Sequence, residues 1–316
     1  MNFINKSGKF MFEITALGNQ KKIGERRIMD RKIKVNLLGF LTVILWASAF
    51  PISKVALTYY SPNTLGALRC ATAAIFLIIL GKKYKIGLPK KKDIPKFFIS
   101  GGMGFAIYLF AFNTGVQTLT SATSSILVAT TPVMTAIAAS IIYKEKIKIL
   151  GWIAIAIEFV GILVLTLWDG VFSVNKGIFW TLSAALAFCV YNLYQRKLSA
   201  AGYETLQITT YSMACGSILL FFFLPQGIPL MMAASLKQIF IILYLGVFPS
   251  AIAYFLWGKA LVLAEKTSDV TNFIFVTPLL AVVMGFLILR EIPSMGTLLG
   301  GIIIIVGLII FNLKGR

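Results

Sequence analysis

The chain has 316 residues, 58% hydrophobic and 13% charged, with a formal net charge of +19 and no histidine. Soluble domains carry about 45–50% apolar and about 25% charged residues, so a soluble enzyme and a large extramembrane domain are excluded. The absence of histidine removes the commonest metal ligand and the commonest general base near neutral pH.

Residues 1–34 are polar and basic, with nine Lys/Arg. They lack the apolar stretch and small-residue cleavage site of a signal peptide before the first span, and a disordered cytoplasmic arm is expected. The run Gly24-Glu25-Arg26-Arg27 also fits a ribosome-binding site read through, since codons such as GGA-GAA-AGG-AGA encode it. Met29 would then be the start and residues 1–28 untranslated; both readings stand. From Val35 onward the chain alternates apolar runs with Pro, Gly and Lys. A crossing helix needs about 20 apolar residues, and ten spans fit: 35–58, 62–80, 96–115, 120–143, 148–167, 177–198, 204–224, 236–262, 268–289 and 294–312. With both termini inside, 25 of the 30 Lys/Arg fall on the inner side and four (Lys54, Lys176, Lys237, Arg290) on the outer side. Positive residues concentrate on the cytoplasmic side of membrane proteins. The charge is therefore read as topology, and no nucleic-acid partner is expected. Cys70, Cys189 and Cys215 lie in apolar runs and match no zinc spacing. Their odd number leaves no complete disulfide set, so buried thiols are expected.

A shift of 146 residues superposes the two halves without a gap. Tyr108 falls on Tyr254, Thr131-Pro132 on Thr277-Pro278, Lys144-Glu145 on Arg290-Glu291 and Gly161 on Gly307. A shift of 138 places Gly39 on Gly177 and Ala49-Phe50 on Ala187-Phe188. Five spans per half force the second copy to enter from the opposite side. The expected fold is an all-α polytopic membrane protein of ten transmembrane helices in two inverted five-helix repeats, residues 35–167 and 177–312, after the arm 1–34. In such transporters the substrate site lies near the midplane, at the repeat interface.

The stretch Trp46-Ala-Ser-Ala-Phe-Pro51, followed by Lys54 and Arg69, resembles the opening of an EamA-type repeat of the drug/metabolite transporter superfamily. Ala129-Thr-Thr-Pro132 to Lys144-Glu145, and Phe275-Val-Thr-Pro278 to Arg290-Glu291, resemble that family's fourth and fifth helices; Tyr254-Phe-Leu-Trp257 fits its second repeat. The resemblance covers about residues 35–312. It implies ten helices around a central cavity and export of amino acids, other metabolites or drugs. The small multidrug members of the superfamily depend on a glutamate in the first helix. Span 1 has none, which argues against proton-coupled export of lipophilic cations.

Trp46, Phe50, Ser53 and Lys54 share one helical face of span 1. Ala184, Phe188, Tyr191, Asn192 and Gln195 recur similarly in span 6, and Ser250, Tyr254 and Trp257 in span 8. Polar and aromatic faces inside a membrane protein point inward. The substrate-binding candidates are therefore Trp46, Phe50, Lys54, Tyr108, Tyr191, Asn192, Tyr254 and Trp257. Trp46 and Trp257 are expected in one compartment, and Lys54 to attract a carboxylate or to snorkel. Arg69 reads as structural or as a substrate contact, with the structural role ahead. Glu158 reads as a packing or oligomer contact, Asp269 as an amino-terminal helix residue, and Glu145 and Glu291 as local partners of Lys144 and Arg290. Ser121, Ser124, Ser125, Thr131 and Thr135 form a hydroxyl stripe, read as close helix packing or as a cavity wall; Thr267, Thr271 and Thr277 repeat it. Pro51, Pro132, Pro249 and Pro278 remove backbone donors and are hinge candidates, alongside Ser124, Thr131 and Thr277 as hinge or cavity positions. Gly296 and Gly300 form a GxxxG packing motif, with homodimerisation as an extra reading.

The expected protein is a secondary transporter of a small metabolite in the bacterial cytoplasmic membrane, multi-pass, exporting by alternating access. A passive channel-like permease for small neutral solutes is the alternative. Its partners are the lipid bilayer and the small-molecule substrate, with a coupling proton or ion left open. No cofactor, metal or enzymatic activity is expected.

Overall fold

The computed structural model describes the backbone of residues 4–142, 144, 147–168, 176–264, 270 and 272–314, and most side chains from Met29 onward. Among these residues all regular structure is helical. The first half holds α1 (Ile4–Ala56), α2 (Pro62–Lys83), α3 (Ile94–Gly101), α4 (Tyr108–Thr118), α5 (Ser121–Val128), α6 (Thr131–Ile142) and α7 (Ile149–Leu167). The second holds α8 (Lys176–Ala200), α9 (Thr205–Leu219), α10 (Leu224–Met232), α11 (Leu236–Leu245), α12 (Ala253–Leu263), α13 (Thr277–Leu289) and α14 (Met295–Lys314). Hydroxyl caps start several of them. Ser61 Oγ accepts the Thr64 N–H at 3.2 Å, Thr120 Oγ1 the Thr123 N–H at 3.1 Å, and Ser294 Oγ the Thr297 N–H at 3.2 Å. Each satisfies an amide that the helix itself leaves open.

Among the described residues six helical segments are long and apolar enough to cross a membrane, and seven if a bent pair counts as one. That pair, Thr205–Leu219 and Phe221–Met232, turns by 52°. Pro225, in the first turn of α10, has no N–H to give to the carbonyl of Phe221, so the helix does not run regularly through this point. The stretch expected as a loop after residue 224 is therefore mostly helical. The segments expected at 148–167, 268–289 and 294–312 hold shorter apolar helices, Ile149–Val164, Thr277–Leu289 and Met295–Phe311. The amino-terminal arm, expected as disordered, is the beginning of α1, which no proline interrupts before Pro51. Its apolar, membrane-length part starts at Met29.

The surface is inside out relative to a soluble protein. Ile75, Ile79, Trp152, Phe159, Leu279 and Leu287 are exposed, while Thr42, Ser53, Ser100, Ser124, Thr181, Thr209 and Ser212 are buried. Lipid tails are as apolar as leucine, so helices in a bilayer associate through small side chains and hydrogen bonds. This is the interior of a multi-pass membrane protein.

The two halves pack in exchanged pairs. α1 lies on α12 as α8 lies on α4; α3 lies on α9 as α11 lies on α2; α2 meets α9, and α7 meets α14. The α7–α14 contact is reciprocal at the atomic level. A Cβ on Gly161 would lie 2.9 Å from Gly300 O, and one on Gly307 would lie 3.0 Å from Ala154 O. The 146-residue shift carries Ala154 onto Gly300 and Gly161 onto Gly307. Gly296 packs on Trp168 in the same interface, so this GxxxG face is occupied within the chain. Glu158 is buried there against Gly307, with Oε1 lacking a partner among the described residues. It is an internal packing residue.

Local breaks recur in register as well. α6 starts at Thr131 and α13 at Thr277, each just before the matched proline, and the preceding segments are broken at 129–130 and by the 3-10 turn Asn272–Val276. The αL residues Lys144 (φ 55°) and Arg290 (φ 58°) are matched positions too. Between α3 and α4 lies a π-helical turn, Gly102–Ile107, and between α11 and α12 another, Gly246–Ile252. Pro249 sits in the second, while the first contains no proline. Proline is therefore not what the π geometry requires. α1 runs unbroken through Pro51.

Candidate functional site

The π turn of the second half organises the centre of the molecule. Widening the helix frees backbone groups that a regular helix would consume. The Pro249 carbonyl accepts the indole N–H of Trp46 at 3.2 Å. One residue on, Ser250 Oγ donates to Leu245 O at 2.8 Å and accepts from Arg69 Nε at 2.6 Å. Ser53, on α1, accepts from Arg69 Nη1 at 3.3 Å. Arg69 is 3% exposed, and its guanidinium carbon lies 5.8 Å from the centre of the Phe112 ring.

These groups border a cavity between the halves. It is lined by Trp46, Ala49, Phe50, Arg69, Tyr108, Phe112, Ser125, Val128, Ala129, Thr131, Phe188, Tyr254, Ile274 and Thr277. Three matched pairs of the internal repeat meet here: Phe50 with Phe188, Tyr108 with Tyr254, and Thr131 with Thr277. The aromatic wall is continuous. Trp46 meets Phe188 at 5.8 Å and Tyr254 at 5.5 Å between centroids, both edge-on. Tyr108 stacks on Phe112 at 5.6 Å, and Phe50 meets Phe112 at 5.1 Å. Edge-to-face and offset contacts are the favoured aromatic geometries and hold the rings rigidly. The cavity volume is about 40 Å³, room for a few waters. Pockets for drug-sized ligands run to about 300–1,000 Å³, so a metabolite enters only if the walls part.

Of the expected substrate contacts, Trp46, Phe50, Tyr108 and Tyr254 line the cavity. Trp257 lies behind Trp46, 5.0 Å between centroids, and Tyr191 behind Phe188, stacked at 5.6 Å. Asn192 is half-buried outside the cavity lining. Lys54 is elsewhere too. Its ammonium donates to Glu291 Oε1 at 2.5 Å and to Leu119 O at 3.0 Å. Glu291 Oε2 accepts the Ser121 N–H at 2.7 Å, at the amino end of α5. Glu291 therefore pairs with Lys54 across the two halves, while Arg290 lies over the Phe286 ring at 5.6 Å. The expectation that Lys54 faces the cavity is corrected for a physical reason. The αL turn at Arg290 presents Glu291 to the end of α1 and to the positive end of the α5 dipole.

The hydroxyl stripe divides. Ser125, Thr131 and Thr135 donate to carbonyls of their own helical segments, and Ser125 and Thr131 also line the cavity. Ser124 Oγ and Thr277 Oγ1 are buried without a partner among the described residues. Glu145, Thr267, Asp269 and Thr271 lie outside the described residues. The three cysteines are buried and free. Among the described residues no cluster of ligating side chains could hold a metal. The cavity cation that the sequence ranked second, Arg69, is the one the fold places on the cavity wall. Its signal was its position, nearer mid-span than Lys54.

A many-helix apolar bundle, with aromatic and hydroxyl pairs from two matched halves closing on one buried cation, is built as a membrane transporter. The sequence profile of the EamA-like transporter family matches residues 33–167 and again 175–313. The chain belongs to that family. It is 31% identical to the "Uncharacterized transporter YdfC" of Bacillus subtilis (strain 168), over 90% of this chain and 92% of that protein. It is 28% identical to a "Probable terminal-alkyne amino-acid exporter" of Streptantibioticus cattleyicolor, over 86% of this chain and 91% of that one. A solved crystal structure shares the fold at a TM-score of 0.62 and 16% identity, covering 89% of this chain and 97% of that chain.

Proposed function

We propose that this protein is a secondary transporter that exports a small metabolite, an amino acid or a related compound, across the bacterial cytoplasmic membrane by alternating access. The observation that carries this is the meeting of three matched residue pairs around one closed cavity. A site shared by two related halves belongs equally to both membrane faces, so rocking one half against the other opens it to either side. The exchanged packing pairs and the reciprocal α7–α14 glycines support ten helices in two inverted five-helix repeats, residues 35–167 and 177–312. The matched breaks before Pro132 and Pro278 would serve as hinges, with Ser124, Thr131 and Thr277 beside them. The distribution of Lys and Arg supports both termini on the cytoplasmic side. The amino-acid class is suggested by the exporter relative.

The test begins with metabolite profiles of the medium from overexpressing and deletion strains. Compounds that differ are then assayed with the purified chain in proteoliposomes. Saturable flux, accelerated by the same compound on the opposite side, is expected. Linear flux without that acceleration would identify a channel-like permease, and no flux would exclude transport altogether.

A further inference from the structure

We propose that Arg69 is the anchor for a carboxylate on the transported solute, so that the cavity selects small monocarboxylates with an apolar or aromatic remainder. This rests on the transporter function proposed above. A guanidinium in a membrane interior is costly, by about 2.5–3.5 kcal/mol even on insertion scales, and such charges find a counter-ion or a functional use. Among the described residues Arg69 has no carboxylate partner. Two described acidic side chains of the bundle are engaged elsewhere: Glu291 holds Lys54 and the end of α5, and Glu158 is packed on Gly307.

The protein positions Arg69 rather than neutralising it. Ser250 and Ser53 accept from Nε and Nη1. Of five N–H donors, the others have no acceptor among the described residues, and the residue lines the cavity. A planar fork with free N–H groups at the wall of a mainly apolar pocket matches a carboxylate by two parallel charge-assisted bonds. Around it the pocket offers the faces and edges of Phe50, Tyr108, Phe112 and Phe188, which suit an apolar side chain. Binding would neutralise the buried charge, and this links occupancy to the free energy of the closed state.

The probes are radiolabelled 4-methylpentanoate and 3-phenylpropanoate, together with their carboxamides, which keep shape and lose the anion. The reconstituted full chain is expected to show trans-stimulated flux of an acid with an affinity at least about tenfold above its amide, the span of one charge-assisted bond. Arg69→Gln should reduce the acid to the level of the amide. Arg69→Lys keeps the charge without the fork and should lower acid affinity about tenfold, so that the ratio of acid to amide affinity collapses. The lysine variant decides the matter if the glutamine variant does not reach the membrane. Three results would overturn the assignment. If the wild type carries amides as well as acids, or Arg69→Gln still prefers acids, the protein remains a transporter and Arg69 is only a structural cation. If neither probe class moves in the wild type while neutral solutes from the medium survey do, the cavity does not select monocarboxylates.

Discussion

Charges placed inside this bundle are few, and each has a distinct situation. The Lys54–Glu291 pair joins the end of α1 to the segment between α13 and α14, with side chains 30% and 14% exposed. Such a pair lies between a surface bridge, worth about 0–1 kcal/mol, and a buried one, where removing one partner costs about 3–5 kcal/mol. Glu291→Gln can still accept the Ser121 N–H but leaves Lys54 without its anion. A loss of about 2 kcal/mol is expected, read as a melting temperature in detergent lowered by several degrees. Removing both charges, Lys54→Met with Glu291→Gln, should recover at least half of it. An unchanged melting temperature in Glu291→Gln would show that the pair does not hold the two halves together. Arg69 differs because no such anion faces it among the described residues.

Among the helices, the α7–α14 pair shows how the bundle is held. Both helices expose apolar side chains such as Trp152, Phe159 and Ile302 outward. Their contact is made by backbone against backbone at Gly161 and Gly307. Close approach of this kind replaces the hydrophobic drive that lipid removes. A methyl group at Gly161 would lie 2.6 Å from Ile304 Cγ1, and one at Gly307 would lie 2.7 Å from Glu158 Cγ. Gly161→Ala or Gly307→Ala should each cost about 1–3 kcal/mol by overpacking. The double variant should cost less than the sum, since the first methyl already separates the helices for the second. Strict additivity in thermal melts of purified protein would mean that the two glycines do not share an interface. The paired π turns make a similar point about the third helix of each half. One contains Pro249 and the other no proline, and each starts at a glycine pressed on a helix of the opposite half: the first follows Gly101, packed on Ser212 O, and the second begins at Gly246, where a Cβ would lie 3.1 Å from Arg69 O.

For the whole molecule the decisive property is the relation between its halves. If they are inverted, matched positions must emerge on opposite membrane faces. Lys144 and Arg290 are matched, share the αL conformation, and bear side chains that tolerate replacement at a turn. With the cysteines at 70, 189 and 215 removed, Arg290→Cys should react with an impermeant maleimide in intact cells. Lys144→Cys should react only after permeabilisation. Labelling of both from the same side would establish parallel repeats and remove the two-fold axis on which alternating access depends.

The sequence by itself determined the membrane class and the internal repeat. A bilayer dictates apolar runs of a fixed length, and a duplicated fold leaves matched residues at a constant spacing, as Tyr108/Tyr254 and Thr131/Thr277 do. It also determined the aromatic face of α1, since Trp46 and Phe50 lie one turn apart. Only the tertiary structure decided which cation is satisfied. Lys54 and Arg69 both fall within spans, Arg69 nearer the middle, but the carboxylate that satisfies Lys54 is 237 residues away in the chain. The same holds for Tyr191 and Trp257, whose helical faces turn inward as expected but end one layer behind the cavity wall. Periodicity specifies the side of a helix, and depth within a bundle depends on what the neighbouring helices place in front.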